Sequence, residues 1–529
     1  MKVDLIWRSK DLADLKENWD ALYERDPEAH YFLSWPFLSS FLRRFDGSWF
    51  VLAARQDPEA SAYAALLPLR FKAKMNLKTG QLSNEIHMGG SYASDYTGFL
   101  AAPEFADRAS VAFARHLKTM HWAKLHLENL RMSEERRGSF LAELQDEKLN
   151  LRKLRRVNAA DKVDNCVCLS AELAESWELF LERNLSSNTR QKMRRFLRKV
   201  ETSDDFRITH ADASTIERDV ETLLRFWSVK WSARKENPTA ILKSSRAFFK
   251  ETWNGGSLFL PVLWHLDKPI CALALLADPV KKTMLFYMAG RDETDSAVPS
   301  GLVLHGYCIR RAIEQGYRTY DFLRGNEPYK YSFGTRESAI HCFLMQTKSG
   351  RNLGDRLEKG SLAGACQQAQ KLHKDRKLAQ AEYAYRQVLE TDPHYPDALY
   401  GLGQLLTLKG DHHEAAERFQ TLSTIAPETA KVWHRLGAAL QALEDHAGAV
   451  EALRKATELK PEFAAAQYCL GVSLLKLGQR TEAADILAAT IGQPVQSQSD
   501  NVWRTKAQAL LDHVKRDEEQ QSGRGVPAG

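Results

Sequence analysis

Between Arg318 and Ser338 the sequence reads RTYDFLRGNEPYKYSFGTRES. Asp321, Arg324, Glu327, Tyr329 and Lys330 gather around Gly325 and Pro328, which interrupt a strand-like run. Glu327, or in its place Asp321, can take a proton from an attacking amine or hydroxyl as general base. Tyr329 can protonate a leaving group. Arg324 and Lys330 can hold an anion or offset developing negative charge. The competing reading is an internal ion-pair network of Asp321, Arg324 and Glu327 that shapes the turn. Upstream, SAVPSG leads into a helix at Ser300 and Gly301. Ser300 is placed to cap it, and Gly301 leaves backbone N–H groups uncovered, a ready anion site. The segment NTRQKMRRFLRKV sets Met193, Phe196, Leu197 and Val200 on one stripe and bases elsewhere. Arg190 and Arg194 then either touch a phosphate-bearing substrate or lie on a solvated face. Trp227 and Trp231 share a helix face, in the core or as the wall of an acceptor pocket.

These groups need a frame. Over the first 350 residues strand and helix patterns alternate, which argues for an α/β or α+β fold. Strand-like runs at 49–57 and 62–72 are followed by a helix–strand unit. The same order returns after 171, with strands at GSLFLPVLWHLD, KPICALALLADPV and KTMLFYMAGRD, a helix at GLVLHGYCIRRAIEQG, and TYDFLRG. IHCFLMQTK is expected to close this second half. Two similarly built halves, 1–160 and 170–350, are expected in tandem. HMGGSYASDYTGF, carrying Asp95 and Tyr96, either lines a cleft between the halves or forms a surface loop.

The order of three strands, loop, helix and strand resembles the core of the GNAT acyltransferases. LSSNTRQKMRRFLRKVE, VPSGLVLHGYCIRRAIEQG and YDFLRGNEPYKYSFG resemble the CelD-type branch, with its BioF2-like acetyltransferase domain. That branch is related to the FemABX transferases, which also carry two GNAT-like halves. The resemblance covers roughly 1–350. It implies acyl transfer to an amine or hydroxyl, with acetyl-CoA or another acyl-CoA as co-substrate. It places the chemistry at Glu327, Asp321 and Tyr329, the donor at Ser300, Gly301, Arg324 and Lys330, and the substrate at Arg190, Arg194 and Trp231. A small-molecule or saccharide acceptor, linked to exopolysaccharide or envelope biosynthesis, follows from the same likeness. The family's pyrophosphate motif, Arg/Gln-x-x-Gly-x-Gly/Ala, is not present before the helix. An aminoacyl-tRNA donor, as in FemABX relatives, and a non-catalytic interaction scaffold therefore stay open.

The last third repeats. Ala381, Ala415, Ala449 and Ala483 stand 34 residues apart, as do Pro393, Pro427 and Pro461, and Gly403, Gly437 and Gly471. A 34-residue period with small residues where paired helices touch is the tetratricopeptide (TPR) pattern. About four repeats are expected over 360–495, then a capping helix at 500–519 and a disordered tail at 520–529. The fold class is thus tandem GNAT-like α/β domains followed by an all-α solenoid. The array is expected to bind a protein or peptide, or else to prop its own chain.

Bulk properties limit the rest. The net charge of +6 over 529 residues is mild, so nucleic acid is not demanded, although tRNA remains possible. Seven cysteines without paired spacing argue against a disulfide framework or zinc site, and no metal is expected. No apolar run reaches the roughly 18 residues of a membrane span. The expected location is cytoplasmic.

Overall fold

The computed structural model describes residues 1–44, 48–159, 161–232, 237–493 and 498–523. They form two compact units, one of residues 1–72 with 85–353, the other of 73–84 with 354–529.

The first unit holds two sheets. In chain order the strands are β1 (Lys2–Ile6), β2 (Trp49–Arg55), β3 (Ala65–Met75), β4 (Leu82–Met88), β5 (Leu100–Ala101), β6 (Lys124–Leu130), β7 (Leu149–Leu154) and β8 (Val167–Glu172). Then come β9 (Phe206–His210), β10 (Leu258–Phe259), β11 (Pro261–His265), β12 (Lys268–Asp278), β13 (Thr283–Arg291), β14 (Thr319–Arg324), β15 (Arg336–Ala339) and β16 (His341–Thr347). The first sheet runs β1-β2-β3-β4-β6-β16-β7, with β5 beside β3. The second, counted from the other edge, runs β9-β11-β12-β13-β14-β8-β15, with β10 beside β12. The two orders correspond strand for strand. Each contains one parallel pair, β4–β6 or β13–β14. A crossover helix joins each pair, Ala106–Thr119 or Ser300–Glu314, because parallel neighbours cannot be linked by a hairpin.

One correction concerns the ends of the halves. β16 does not close the second sheet; it lies in the first, between β6 and β7. β8, which follows the first half, lies in the second sheet between β14 and β15. Both are largely buried strands that need a neighbour on each side. An apolar run states that requirement but not which sheet meets it.

Helix packing explains four glycines in these units. At Gly306, in the crossover helix, an added Cβ would stand 2.2 Å from Sδ of Met193, so the basic helix Ser187–Thr202 approaches there closely. In the second unit, an added Cβ on Gly403, Gly437 or Gly471 would meet Phe419, Leu453 or Leu487 at 2.7, 2.5 and 2.8 Å. The 34-residue period is therefore one contact made three times. The array has four helix pairs, from Leu362–Lys374 with Leu378–Thr391 to Ala464–Lys476 with Arg480–Gly492, and then the helix Gln498–Gly523. The expected tail falls largely outside the described residues. No described helix is long and apolar enough to cross a membrane.

Candidate active site

β13 and β14 pair only from Thr283 with Thr319 to Leu285 with Asp321. Beyond that point β13 stays with β12 as far as Arg291, and β14 stays with β8 as far as Arg324. Two bulges drive them apart. β13 skips Tyr287 in its pairing with β12, and β14 breaks register with β8 at Leu323, which takes φ 59°. A bulge bends a strand and re-aims its side chains. The parted strands open a cleft of about 920 Å³. Its walls include Phe286, Tyr287, Gly290 and Arg291 of β13, Phe322 and Arg324 of β14, and Trp227 and Trp231 of the helix Ile216–Trp231. Gly301, Leu302 and His305 of the crossover helix complete it, with the turn Glu327–Phe333.

Glu327, Tyr329, Arg324, Lys330, Gly301 and Trp231 are thus brought together on one cleft. Their roles differ from one another. The Glu327 side chain is 39% exposed and forms an ion pair with Nζ of Lys330 at 2.8 Å. It folds back over Gly325, whose φ is 98° and whose added Cβ would stand 2.6 Å from Oε2 of Glu327. Only glycine fits that conformation and that contact. Tyr329 is half-exposed, and desolvation, then the Glu327 charge, pushes its phenol above the usual range. It is therefore a neutral proton donor at physiological pH.

Lys330 belongs to the turn more than to the cleft. Its side chain is 3% exposed, and the ammonium donates to the carbonyls of Arg324 at 2.7 Å and Gly325 at 3.0 Å. Arg324 is also engaged. Its Nε and Nη2 donate to Oδ1 of Asp95 at 2.8 and 2.5 Å, and its Nη1 to Asn129 at 3.3 Å. An Arg committed to one carboxylate holds walls together before it holds a ligand.

Asp321, the second candidate base, lies apart from these groups. It is 2% exposed and is not on the cleft. Its carboxylate accepts from Tyr96 Oη at 2.9 and 3.1 Å, from Arg131 Nη1 at 3.1 Å and from the Leu323 N–H at 2.8 Å. Strand alternation turns it away from Tyr320 and Phe322. Ser300 does not cap its helix: Pro299 occupies the N-cap, without a side-chain hydrogen bond, and Ser300 is buried one residue inside. Arg190 and Arg194 line neither the cleft nor the polar groove of about 580 Å³ next to it. Arg194 pairs with Glu178 on the surface. Lys192 and Arg195, on another phase of the same helix, line that groove together with Arg291, Pro299 and Ser300. The helix N-terminus therefore borders both spaces, and around Gly301 an added Cβ would meet nothing within 4 Å.

The sequence does not assign several wall residues, and it leaves Asp95 open between a cleft wall and a surface loop. Asp95 reaches the cleft from the first half. Ala93 next to it accepts from Tyr287 Oη at 2.9 Å. Asp161 and Val163 come from the connection between the halves, which is pinned where the Asp164 N–H donates to Asn326 at 2.7 Å. His305 is buried, with Nδ1 2.9 Å from Tyr320 Oη. Burial first, and Lys330 second, pull its pKa down to about 3, so the imidazole is neutral.

Residues 187–331 match the family described as an acetyltransferase (GNAT) domain, and these residues supply most of the cleft. Residues 372–440 and 434–497 match tetratricopeptide-repeat families. The chain carries a GNAT-like acetyltransferase domain and a TPR array. Among solved structures, FemX is 10% identical over 65% of this chain and 97% of its own, with a TM-score of 0.45. A conserved protein of unknown function from Bacteroides thetaiotaomicron VPI-5482 is 12% identical over 63% of this chain and 97% of its own, with a TM-score of 0.41. YrrB, a TPR protein with an unusual peptide-binding site, is 25% identical over 28% of this chain and 83% of its own, with a TM-score of 0.25. No curated protein matches the chain.

Proposed function

We propose that the GNAT-like domain transfers an acyl group from acyl-coenzyme A to an amine or hydroxyl acceptor in the cleft between β13 and β14. One observation carries this reading: a single cleft is lined by the open N-terminus of the crossover helix and by the Glu327–Tyr329 pair. The first suits the phosphates of a donor, since free N–H groups and the helix dipole favour anions. The adjoining groove sets Lys192, Arg195 and Arg291 beside Asp292, Glu293 and Asp295, so the attraction for phosphate comes from the helix end and not from net charge. The second suits proton transfer. Glu327 takes the acceptor's proton while its nitrogen or oxygen bonds to the acyl carbon. The thioester C–S bond then breaks, and Tyr329 protonates the leaving thiolate. Trp227 and Trp231 wall the acceptor. The TPR array recruits a protein partner to this activity, and the saccharide-linked acceptor remains the one implied by the CelD likeness.

Calorimetry of the full chain with acetyl-CoA, longer acyl-CoAs and charged tRNA tests the donor. Binding of an acyl-CoA is expected, and Glu327→Gln should keep that binding. Binding of charged tRNA alone would move the chain to an aminoacyl donor, and binding of none would leave a scaffold.

A further inference from the structure

The second site lies on the first sheet and uses none of the cleft residues. Parallel β4 and β6 set Glu85 beside Lys124, Ile86 beside Leu125 and His87 beside His126. Ile86 and Leu125 enter the core and are fully buried. Alternation puts Glu85, His87, Lys124, His126 and Glu128 on the opposite face. There the two imidazoles stack, with ring centroids 4.2 Å apart and planes 5° apart. Nε2 of His87 lies 3.5 Å from Oε2 of Glu85, and Nε2 of His126 lies 3.6 Å from the same oxygen. Both Nε2 atoms are shielded from solvent and have no hydrogen-bond partner. Buried polar atoms are normally bonded, so two orphans turned to one carboxylate oxygen need an explanation.

We propose that Glu85, His87 and His126 bind one divalent transition-metal ion through Oε2 and the two Nε2 atoms. A tetrahedral zinc ion about 2.0–2.1 Å from each ligand separates the ligand atoms by about 3.3–3.4 Å. The distances to Oε2 are close to that, and all three atoms lie within 4.8 Å of one another. The rings need only tilt out of their parallel stack to converge. The surroundings are built for it. Oε1 of Glu128 lies 2.9 Å from Nδ1 of His87, which holds the proton there and leaves the Nε2 lone pair free. Nζ of Lys124 sits 3.4 Å from Oε1 of Glu85, which leaves Oε2 as the single ligand oxygen. Two imidazoles and one carboxylate suit zinc and its first-row neighbours, and three protein ligands leave one position for water. The ion ties β4 to β6 at the last of their three register pairs. The expectation of no metal came from the cysteine spacing; Glu85-x-His87 and a lone His126 form no spaced motif and meet through strand pairing.

The full chain, stripped with a chelator and dialysed, is titrated with Zn2+ by calorimetry, with metal content read per chain. One ion per chain is expected, together with a rise in the thermal midpoint of the wild type on loading. His126→Gln and Glu85→Gln should each weaken Zn2+ at least tenfold while keeping the circular dichroism spectrum. Should either fail to fold, Glu128→Gln supplies the reading, with an expected loss of 10- to 100-fold. Co2+ in place of Zn2+ should give the intense visible bands of a four-coordinate site, lost in the same variants. No binding by the wild type, or stoichiometric binding unchanged in all the variants, overturns the proposal. The first result leaves Glu85, His87 and His126 as a polar contact between β4 and β6, and the second assigns the ion to surface histidines or cysteines.

Discussion

Asp321 separates a catalytic reading of the polar turn from a structural one, and its replacement has a calculable cost. Four contacts converge on two oxygens: Tyr96 Oη on both, Arg131 on Oδ2 and the Leu323 N–H on Oδ1. Asp321→Ala removes them all. The Tyr96 hydroxyl, on a residue 1% exposed, then has no carboxylate, and Leu323 loses the acceptor that supports its φ of 59°. Breaking a buried pair costs about 3–5 kcal/mol, but the Arg131 side chain is 38% exposed and water recovers part of its share. A loss of about 3 kcal/mol is therefore expected. Asp321→Asn keeps one oxygen for Leu323 and Tyr96 but turns an NH2 group toward Arg131, for an expected loss of about 1–2 kcal/mol. Urea unfolding followed by tryptophan fluorescence reports the right unit, since all the tryptophans except Trp433 and Trp503 lie in it. Donor binding and turnover of the folded fraction should stay within a few-fold of wild type. If both variants unfold within about 0.5 kcal/mol of wild type while turnover falls by about 10²–10⁴, the reasoning is wrong and Asp321 is the base.

Three further outcomes are expected. Glu327→Gln should lower turnover by about 10²–10⁴ with acyl-CoA binding nearly unchanged, as measured by steady-state kinetics beside calorimetry. His305 is neutral in the folded state down to about pH 3, whereas the unfolded chain binds its proton near 6.5. Its contribution is complete above about pH 6.5 and is lost as pH falls toward 3, by about 2 kcal/mol at pH 5, so His305→Gln should flatten the fall in urea midpoint between pH 7 and 5. Gly437→Val forces a side chain into Leu453, 2.5 Å from the added Cβ, and should destabilise the array by about 1–3 kcal/mol or more in a helical-signal melt, leaving donor binding unchanged.

The repeats were legible because their period names the contacts: every 34 positions a glycine meets a large apolar residue at the same offset, Phe419, Leu453 or Leu487. The long strands β12 and β13 and the two crossover helices were legible from apolar patterning. The strands at the sheet edges, β1, β7, β9 and β15, were not. β15 is exposed at every position and pairs only with β8, so nothing in its residues marks a strand. β7 and β9 mix one buried position with exposed and half-buried ones, and β1 has no buried position, over five or six residues each. At the site, the sequence shows which charges are present but not where they turn. That is decided by a bulge at Leu323, and a leucine at positive φ leaves no signal of its own. Asp95, Asp161 and Tyr287 reach the cleft from distant segments, and only the folded chain brings them together.

The bulge also accounts for the difference between the halves. Asn129 near the end of β6 takes φ 55°, as Leu323 takes 59° near the end of β14. Each parallel pair, β4–β6 and β13–β14, holds for three residues and then parts. In the first half the gap is taken. After β4 the chain turns back, and Thr97 bridges Leu130, with its N–H donating to the Asn129 carbonyl at 2.8 Å and its carbonyl accepting from Arg131 at 2.9 Å. In the second half β13 runs on beside β12 and the gap stays open as the cleft. The segment that fills the first gap also braces the strands of the second, through Asp95 to Arg324, Tyr96 to Asp321 and the Ala93 carbonyl to Tyr287, and of the segment's three residues Asp95 lines the cleft. One half thus gives up its own opening to brace the other's. A pair of like folds with one cleft is what these contacts dictate.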